Sequence, residues 1–410
     1  MNGTTARAPD LESEAGPAVF ASPIAAGESS GGLVYSQAVA GLLAEVLERS
    51  GGGLQIVRPS GAGLRPALRR LLGVALAAVS RETAKTAYAR LSGLGAALPD
   101  AGAHGAPSPS ALVLDGADAG FLLRDPRWEA YGQQRPLVLV CHNREADLFA
   151  QQVDRLAWPG RVLLRDLLGD VARYRRHEAA LFARANLVIC ISAEDADWVR
   201  ATFPGREVLH LPPVFAERPA QPPSPAPRPA GAPLRLGFLG KIGWWPNREA
   251  LTWLVEEVLR PMPPGCCLHL FGQGTEAWHA PEAGITGHGF VADSARIWHG
   301  TDLMLCPMQS GGGTNVKFAE TLFRGLPMLS TPMAARGTGI APVDGPGLRF
   351  REGPGAWRRF LIGPDAPALA AERPPATLSA TFSWAGQAGR LAHALASAGI
   401  LTDPQAAPAS

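Results

Sequence analysis

The sequence predicts an α/β protein of two domains, each a parallel sheet wrapped by helices. Three observations carry this. Pro136–Cys141 is apolar throughout, as strands buried on both faces of a parallel sheet are, and Asp302–Pro307 is another apolar run. The order strand, glycine-containing loop, helix occurs in both halves, from Ala18 and again from Asp302. A proline-rich stretch, ERPAQPPSPAPRPAGAP from Glu217, reads as an extended linker between them. A length of 410 residues fits two domains of ordinary size, and 46% hydrophobic residues supply two cores.

Residues 1–16 are small, polar and proline-containing and read as disordered. The first domain is expected over 17–215, the linker over 216–233 and the second domain over 234–380. Ala18–Ala21 is the first strand, Gly27–Gly32 a loop, and Tyr35–Arg49 a helix with Val39, Leu42, Leu43, Val46 and Leu47 on one side. Leu54–Val57 is the next strand. From Leu64 to Leu91 the pattern is helical, and Arg65, Arg69, Arg70, Arg81, Lys85 and Arg90 oppose a single acid, Glu82. Such a surface fits anionic lipid, or else is a solvated helical pair.

Ala97–Ser110 is a loop rich in glycine, alanine and proline, and Ala111–Gly116 a strand ending in Asp-Gly. Pro136–Cys141 ends in His142-Asn143-Arg144-Glu145. Ligands in open α/β sheets bind beyond the carboxyl ends of strands, which is where His142 falls. A neutral imidazole there hydrogen-bonds a bound sugar or orients an acceptor hydroxyl; alternatively it caps the next helix, a role open to Glu145 as well. Asp166–Ala185 reads as a helix with Leu181 and Phe182 inward, Ala193–Phe203 as another, and Glu207–Pro213 as the last strand of the first domain. The second domain starts with the strand Leu234–Gly240. Asn247 is expected to cap a helix reaching Arg260, Cys267–Gly272 to form a strand, and Asp293–Trp298 a short helix.

Ser310–Thr331, SGGGTNVKFAETLFRGLPMLST, organises the second domain. Gly311, Gly312 and Gly313 precede a helix from about Thr314 to Arg324, with Val316, Phe318, Ala319, Leu322 and Phe323 apolar; Gly325 stops it, and Pro327–Thr331 is a short buried strand. The arrangement exposes the N–H groups of a helix start to a crevice beside the sheet, where an anion such as a diphosphate fits. Thr314 adds a hydroxyl and Lys317 a point charge one turn in. Glu320, on roughly the same side, can accept two hydrogen bonds from a ribose diol. The spacing is not that of a P-loop. The plain alternative is a tight turn before an amphipathic helix that carries a lysine and a glutamate.

This stretch resembles the nucleotide-sugar signature of GT-B glycosyltransferases, in the retaining, family 4-like group. Gly240–Asn247 (GKIGWWPN) resembles the start of the C-terminal domain in one branch of the group. Gly287–Asp293 (GHGFVAD) is similar to its loop near the base, His142–Glu145 to its His-Asn-x-Glu segment, and Phe382–Ala385 to the Phe-Ser-Trp that opens its last helix. The likeness is dense from Leu234 to about Thr338 and an outline before that. Two departures stand out. Many members carry a glutamate eight residues before the ribose-binding one, where Gly312 stands here, as in members with a triple glycine. The usual Arg…Lys pair after the first strand of the second domain is absent, which leaves Lys241.

The resemblance implies two Rossmann-like domains facing an interdomain cleft, with 381–410 forming a helix that returns toward the first domain, and a tail. It implies transfer of a sugar from a nucleotide-sugar donor to a hydroxyl of a glycan, lipid-linked sugar or polysaccharide precursor, with retention. Gly311, Gly312, Gly313 and Thr314 would hold the diphosphate, joined by Gly31 and Gly32 from the first domain. Lys317 with Lys241 would stabilise the departing nucleoside diphosphate, and Glu320 would hold the ribose. Phe290 and Val291 would border the base, and His142 would sit near the sugar and acceptor. No Asp-x-Asp motif is placed as a GT-A site needs it, so no metal and no cofactor are expected.

A net charge of +2 implies no global attraction to nucleic acid. The five cysteines include no C-x-x-C and mostly fall in or beside apolar runs, so they read as reduced core residues. No signal core and no membrane-length apolar run are evident, so a cytoplasmic protein is expected, with 64–91 available for contact with the inner face of the membrane. Two other readings stay open: a GT-B sugar-nucleotide epimerase, and an inactive scaffold that binds nucleotide or glycan.

Overall fold

The computed structural model describes residues 16–24, 31–59, 64–80, 82–97, 110–124, 135–215 and 231–401. Most of the expected N-terminal disorder, the start of the first glycine loop, Arg81, most of the 97–110 loop and nearly all of the linker lie outside the described residues.

The first sheet is wholly parallel. Its strands are β1 (Ala18–Ala21), β2 (Leu54–Val57), β3 (Leu112–Asp115), β4 (Leu137–Cys141), β5 (Leu187–Cys190) and β6 (Glu207–His210), in the spatial order β2-β1-β3-β4-β5-β6. Every residue of β1, β3, β4 and β5 is buried, which is why these runs show no alternation in sequence. The second sheet is parallel as well: β7 (Leu234–Leu239), β8 (Cys266–Phe271), β9 (Ile285–Gly287), β10 (Leu303–Cys306), β11 (Met328–Ser330) and β12 (Leu348–Phe350), ordered β12-β11-β10-β7-β8-β9. In each sheet the chain leaves in one direction and then crosses back, between β1 and β3 in the first and between β7 and β10 in the second. Connections diverge at such points and open a crevice at the strand ends.

The helices that position the site are α1 (Gly31–Arg49), α2 (Pro66–Val79), α3 (Ala84–Arg90), α4 (Glu145–Asp154), α5 (Asp170–Arg184), α6 (Ala193–Thr202), α7 (Trp245–Trp253), α8 (Val316–Arg324) and α9 (Trp384–Ser397). On α1, Val39, Leu42, Leu43 and Val46 recur at three- and four-residue spacing and are buried. Their partners on the first sheet are Phe20, Val113, Val138 and Ile189. Leu391 and Leu395 of α9 enter that same core. Ser383 caps α9 by accepting from Gly386 N, and Trp384 Nε1 donates to Glu45 Oε2 at 2.5 Å. The last helix therefore belongs to the first domain by packing, although it follows the second in sequence. On α8, Phe318, Ala319, Leu322 and Phe323 are buried, and Gly325 ends the helix in the left-handed region at φ 74°.

Several elements start elsewhere than expected. Helix α1 begins at Gly31, so Gly31 and Gly32 form its first turn and not a loop. Helix α7 begins at Trp245, because Pro246 suits the first turn; Asn247 is inside the helix and is not its cap. Helix α5 starts only at Asp170, since Gly169 turns left-handed at φ 58° and separates it from the π-helical turn Val162–Leu167. The 64–91 stretch is two helices, with Thr83 capping α3. Helix α8 starts at Val316, two residues later than expected, with Asn315 at its cap position.

Truncating the α9 contact should unsettle the first domain. Leu391→Ala removes a wholly buried side chain and is expected to cost about 2–5 kcal/mol, read as a lower midpoint in urea denaturation.

Candidate active site in the interdomain cleft

Both crossover points open onto one cleft of about 710 Å³. From the second domain it is lined by Lys241 after β7, by Ser310–Lys317 after β10, and by Glu320, Phe290, Val291 and Arg336. From the first domain come Gly32, Val34, His142, Asn143 and Ile191. The sequence-predicted residues Gly32, His142, Lys241, Phe290, Val291, Gly311, Gly312, Gly313, Thr314, Lys317 and Glu320 all reach this wall. Gly31 lies one position earlier, in the first turn of α1.

Lys317 projects from the first turn of α8 into a setting without an acid. Its Nζ donates to Asn247 Oδ1 at 2.5 Å, lies 3.6 Å from Met308 Sδ, and sits 5.3 Å above the Phe238 ring. Asn247 is held in turn, its Nδ2 donating to Lys241 O at 3.0 Å. Burial pushes the Lys317 ammonium down to about 8, with only the Cys306 thiol acting the other way. A half-buried ammonium with no carboxylate beside it among the described residues is poorly compensated until an anion arrives. One turn on, Glu320 meets Arg324 Nη2 only at 3.5 Å, and burial holds its carboxyl above the usual range. Its oxygens keep capacity for further donors.

The glycine loop is pressed between the domains. Gly313 has φ 61°, and a Cβ there would clash with Asn143 Oδ1 and His142 O. A side chain at Gly312 would start 3.1 Å from Asn143 Oδ1. Thr314 Oγ1 donates to Ile191 O at 2.7 Å. Its proton is thus spent on the first domain and not on the expected diphosphate. Gly337 completes the joint: its carbonyl accepts from Ala193 N at 2.9 Å and lies 3.1 Å from His210 Nε2. The loop is glycine-rich for close approach of another domain as well as for access to a ligand.

The first-domain wall is a network of charges. His142 Nε2 meets Asp115 Oδ1 at 2.6 Å. Burial pulls the imidazole down, but Asp115, with Glu145 and Asp118, outweighs it and raises the ring above the ordinary histidine value. Nor does His142 cap the next helix. The first N–H groups of α4, on Glu145 and Ala146, donate to the Glu178 carboxylate of α5 at 2.6 and 3.2 Å. Glu145 is engaged too: it accepts from Lys85 Nζ at 2.5 Å and from Asn143 Nδ2 at 3.2 Å.

Sequence reasoning missed Asn247 as the partner of Lys317, and it missed Arg336. Arg336 Nη1 donates to Gly311 O at 3.4 Å, and Nη2 lies 3.8 Å from Asp195. Nothing near it in sequence marks Arg336. It follows the four-residue helix Pro332–Ala335 beyond β11, and only the adjacency of β11 and β10 brings it to the loop.

Two parallel six-stranded sheets facing a ligand-sized cleft define the GT-B fold. Residues 233–372 match the family described as "Glycosyl transferases group 1", so the second domain carries the signature of that group. Solved structures of similar fold include Alr3699/HepE of Anabaena in complex with UDP and glucose, at 13% identity, 92% of this chain, 99% of that chain and a TM-score of 0.55. Another is the lipopolysaccharide outer core galactosyltransferase WaaB in its apo form, at 10% identity, 93% and 99% coverage and a TM-score of 0.51. No curated protein matches the sequence.

Gly313→Ala is expected to cost about 1–3 kcal/mol, because the added methyl meets the His142–Asn143 backbone and side chain in a left-handed position. Thermal unfolding measures the loss, and small-angle X-ray scattering reads any parting of the domains.

Proposed function

We propose that the protein transfers a sugar from a nucleotide-sugar donor to a hydroxyl of a glycan, lipid-linked sugar or polysaccharide precursor, with retention of configuration. The observation that carries the reading is Lys317, a half-buried, desolvated cation with no acid in contact, at the start of a helix behind three glycines. A departing nucleoside diphosphate gains negative charge as the glycosidic bond breaks, and preorganised positive charge in a desolvated site acts most strongly there. In this reading the diphosphate lies along Gly311–Gly313, with Lys317 on its oxygens and Lys241 and Arg336 beside it. Glu320 takes the ribose hydroxyls, while Phe290 and Val291 border the base. His142 and Asn143 face the sugar and the acceptor. These cations supply the charge that a bound metal would otherwise bring, so no resident cofactor is assigned. Retention follows from the family likeness, and since no carboxylate stands among the proposed sugar contacts to act as a covalent nucleophile, it would proceed by front-face attack within an ion pair. The Anabaena protein of similar fold binds UDP and glucose, which makes UDP the first probe. An epimerase would need several acid–base groups at the sugar, and from the first domain the cleft lining offers His142, with Glu145 behind it already paired with Lys85.

The lipid-linked acceptor fits a second feature. Leu68, Leu71, Leu72 and Val79 stand exposed on α2, with Arg65, Arg69 and Arg70 among them. Arg173 Nη1 donates to Ala77 O at 2.9 Å and approaches Leu168 O at 3.5 Å, which brings the end of α2 to the turn bearing exposed Leu163 and Leu167. We assign peripheral contact with an anionic membrane to this face. Lys85 and Arg90 take less part than the sequence implied, since they pair with Glu145 and Glu82. Among the described residues no helix is long and apolar enough to cross a membrane.

Lys317→Met should abolish most transfer, by about 100-fold or more in kcat, yet raise the melting temperature of the empty protein at pH 7, because an unpaired buried charge is removed. The sign with pH follows from the depressed ammonium. Between about 8 and the ordinary value of 10.5 the unfolded chain holds a proton that the folded chain lacks, so the Lys317 contribution to stability rises with pH across that window. Binding of UDP restores the charge, so calorimetry near pH 8.5–9 in buffers of different ionisation heat should show proton uptake that Lys317→Met lacks. Transfer unchanged in both Lys317→Met and Glu320→Ala would remove the site. For the membrane face, the protein should float with vesicles containing anionic lipid and not with neutral ones, and Leu71→Asp with Val79→Asp should release it.

A further inference from the structure

Strands β1, β3 and β4 are neighbours, and Ser22, Asp115 and His142 stand at or just beyond their carboxyl ends. Asp115 pairs in register with Val140, so the chain turns out of β4 beside it and delivers His142 next to the carboxylate. The carboxylate is buried and fully engaged. Oδ2 accepts from Ser22 Oγ and from Ser36 Oγ of α1, each at 2.5 Å, and Oδ1 meets His142 Nε2 at 2.6 Å. Both serines are wholly buried, and both hydroxyls point at this one group. Three donors on a buried carboxyl make an anion holder. Burial raises Asp115, but His142 and the serine hydroxyls outweigh that and keep it below its usual range.

The other nitrogen of His142, Nδ1, has no protein partner among the described residues, and the ring lies in the cleft wall. We infer that Asp115 is a positioning residue: it commits Nε2 of His142 and so leaves Nδ1, carrying a proton, to donate to an oxygen of the sugar or phosphate bound in the cleft. The inference deepens the transfer reading and rests on it for the identity of the ligand, but the Asp115–His142 arrangement is tested without turnover. The groups that face the imidazole are Asp115 from β3, Asp118 from the turn after it, Glu145 from α4 and Tyr35 from α1. Tyr35 stands edge-on at 5.3 Å and gives its hydroxyl proton to Leu211 O, so it does not compete for the ring nitrogens. Glu145 is already compensated by Lys85. Asp115 is thus the acid in direct contact with the ring.

The test is nitrogen-15 NMR of labelled histidine across pH, with His142 assigned through His142→Gln. In the unaltered protein His142 should keep both ring protons above the ordinary histidine range, and Asp115→Asn should move its titration down toward or below that range. Addition of UDP or a UDP-sugar should shift Nδ1 more than Nε2. Turnover gives the second arm: Asp115→Asn should lower kcat about 10- to 100-fold with little change in donor KM, as expected of a group that acts through another. Lys317 titrates on the same alkaline side, so the NMR signal and not the rate profile decides the protonation. An unaltered His142 titration in Asp115→Asn, or a His142 that discharges at or below the ordinary range in the unaltered protein, overturns the inference. If Asp115→Asn fails to fold, a downfield Nε2–H resonance in the unaltered protein, missing in His142→Gln, supports it, and its absence overturns it. Should the NMR arm hold while no nucleotide-sugar is turned over, the arrangement stands and the transfer reading falls.

Discussion

The structure depends on one meeting of backbones. Gly313 and Thr314 of the second domain touch His142, Asn143 and Ile191 of the first, where neither side leaves room for a side chain at Gly313. This contact sets the distance between the two sheets. It brings the end of β4 to the start of α8 and makes one cleft from two crossover points. The carbonyl of Gly337, taking a hydrogen bond from Ala193 N and lying near His210, braces the same joint from behind.

Charge is distributed unequally across that joint. The first-domain wall is compensated: Lys85 meets Glu145 and Asp118, the Tyr174 hydroxyl donates to Asp118, and Asp115 answers His142. Lys317 in the second-domain wall is not. Lys317 has an amide oxygen and a thioether for company, and burial holds its ammonium near 8. The empty fold bears that desolvation as a cost to its stability. Charge compensation is thus denser on the first-domain side of the cleft than around Lys317.

Much of the fold was legible in the sequence because parallel strands announce themselves. The runs around β3, β4, β5 and β10 are apolar without alternation, and all are buried. Helix α8 was legible from its apolar spacing and from Gly325, which fits the left-handed stop. Helix starts were read less well, for local reasons: Pro246 draws the start of α7 forward past Asn247, and Gly169 delays α5. The short strands β9 and β12 went unread, since three residues carry too little pattern.

The sequence alone determined the two parallel sheets, the glycine loop before α8, and which residue types stand at the strand ends. These depend on neighbours within one element, where period and turn chemistry act directly. Only the tertiary structure decided that Asn247 serves Lys317 and caps nothing, that Thr314 spends its proton on Ile191, that Arg336 reaches Gly311, and that Asp115 meets His142. These pairs are separated by 70, 123, 25 and 27 residues in turn. Their partners are chosen by which strand ends the sheet order sets side by side, and no local pattern in the chain encodes that order.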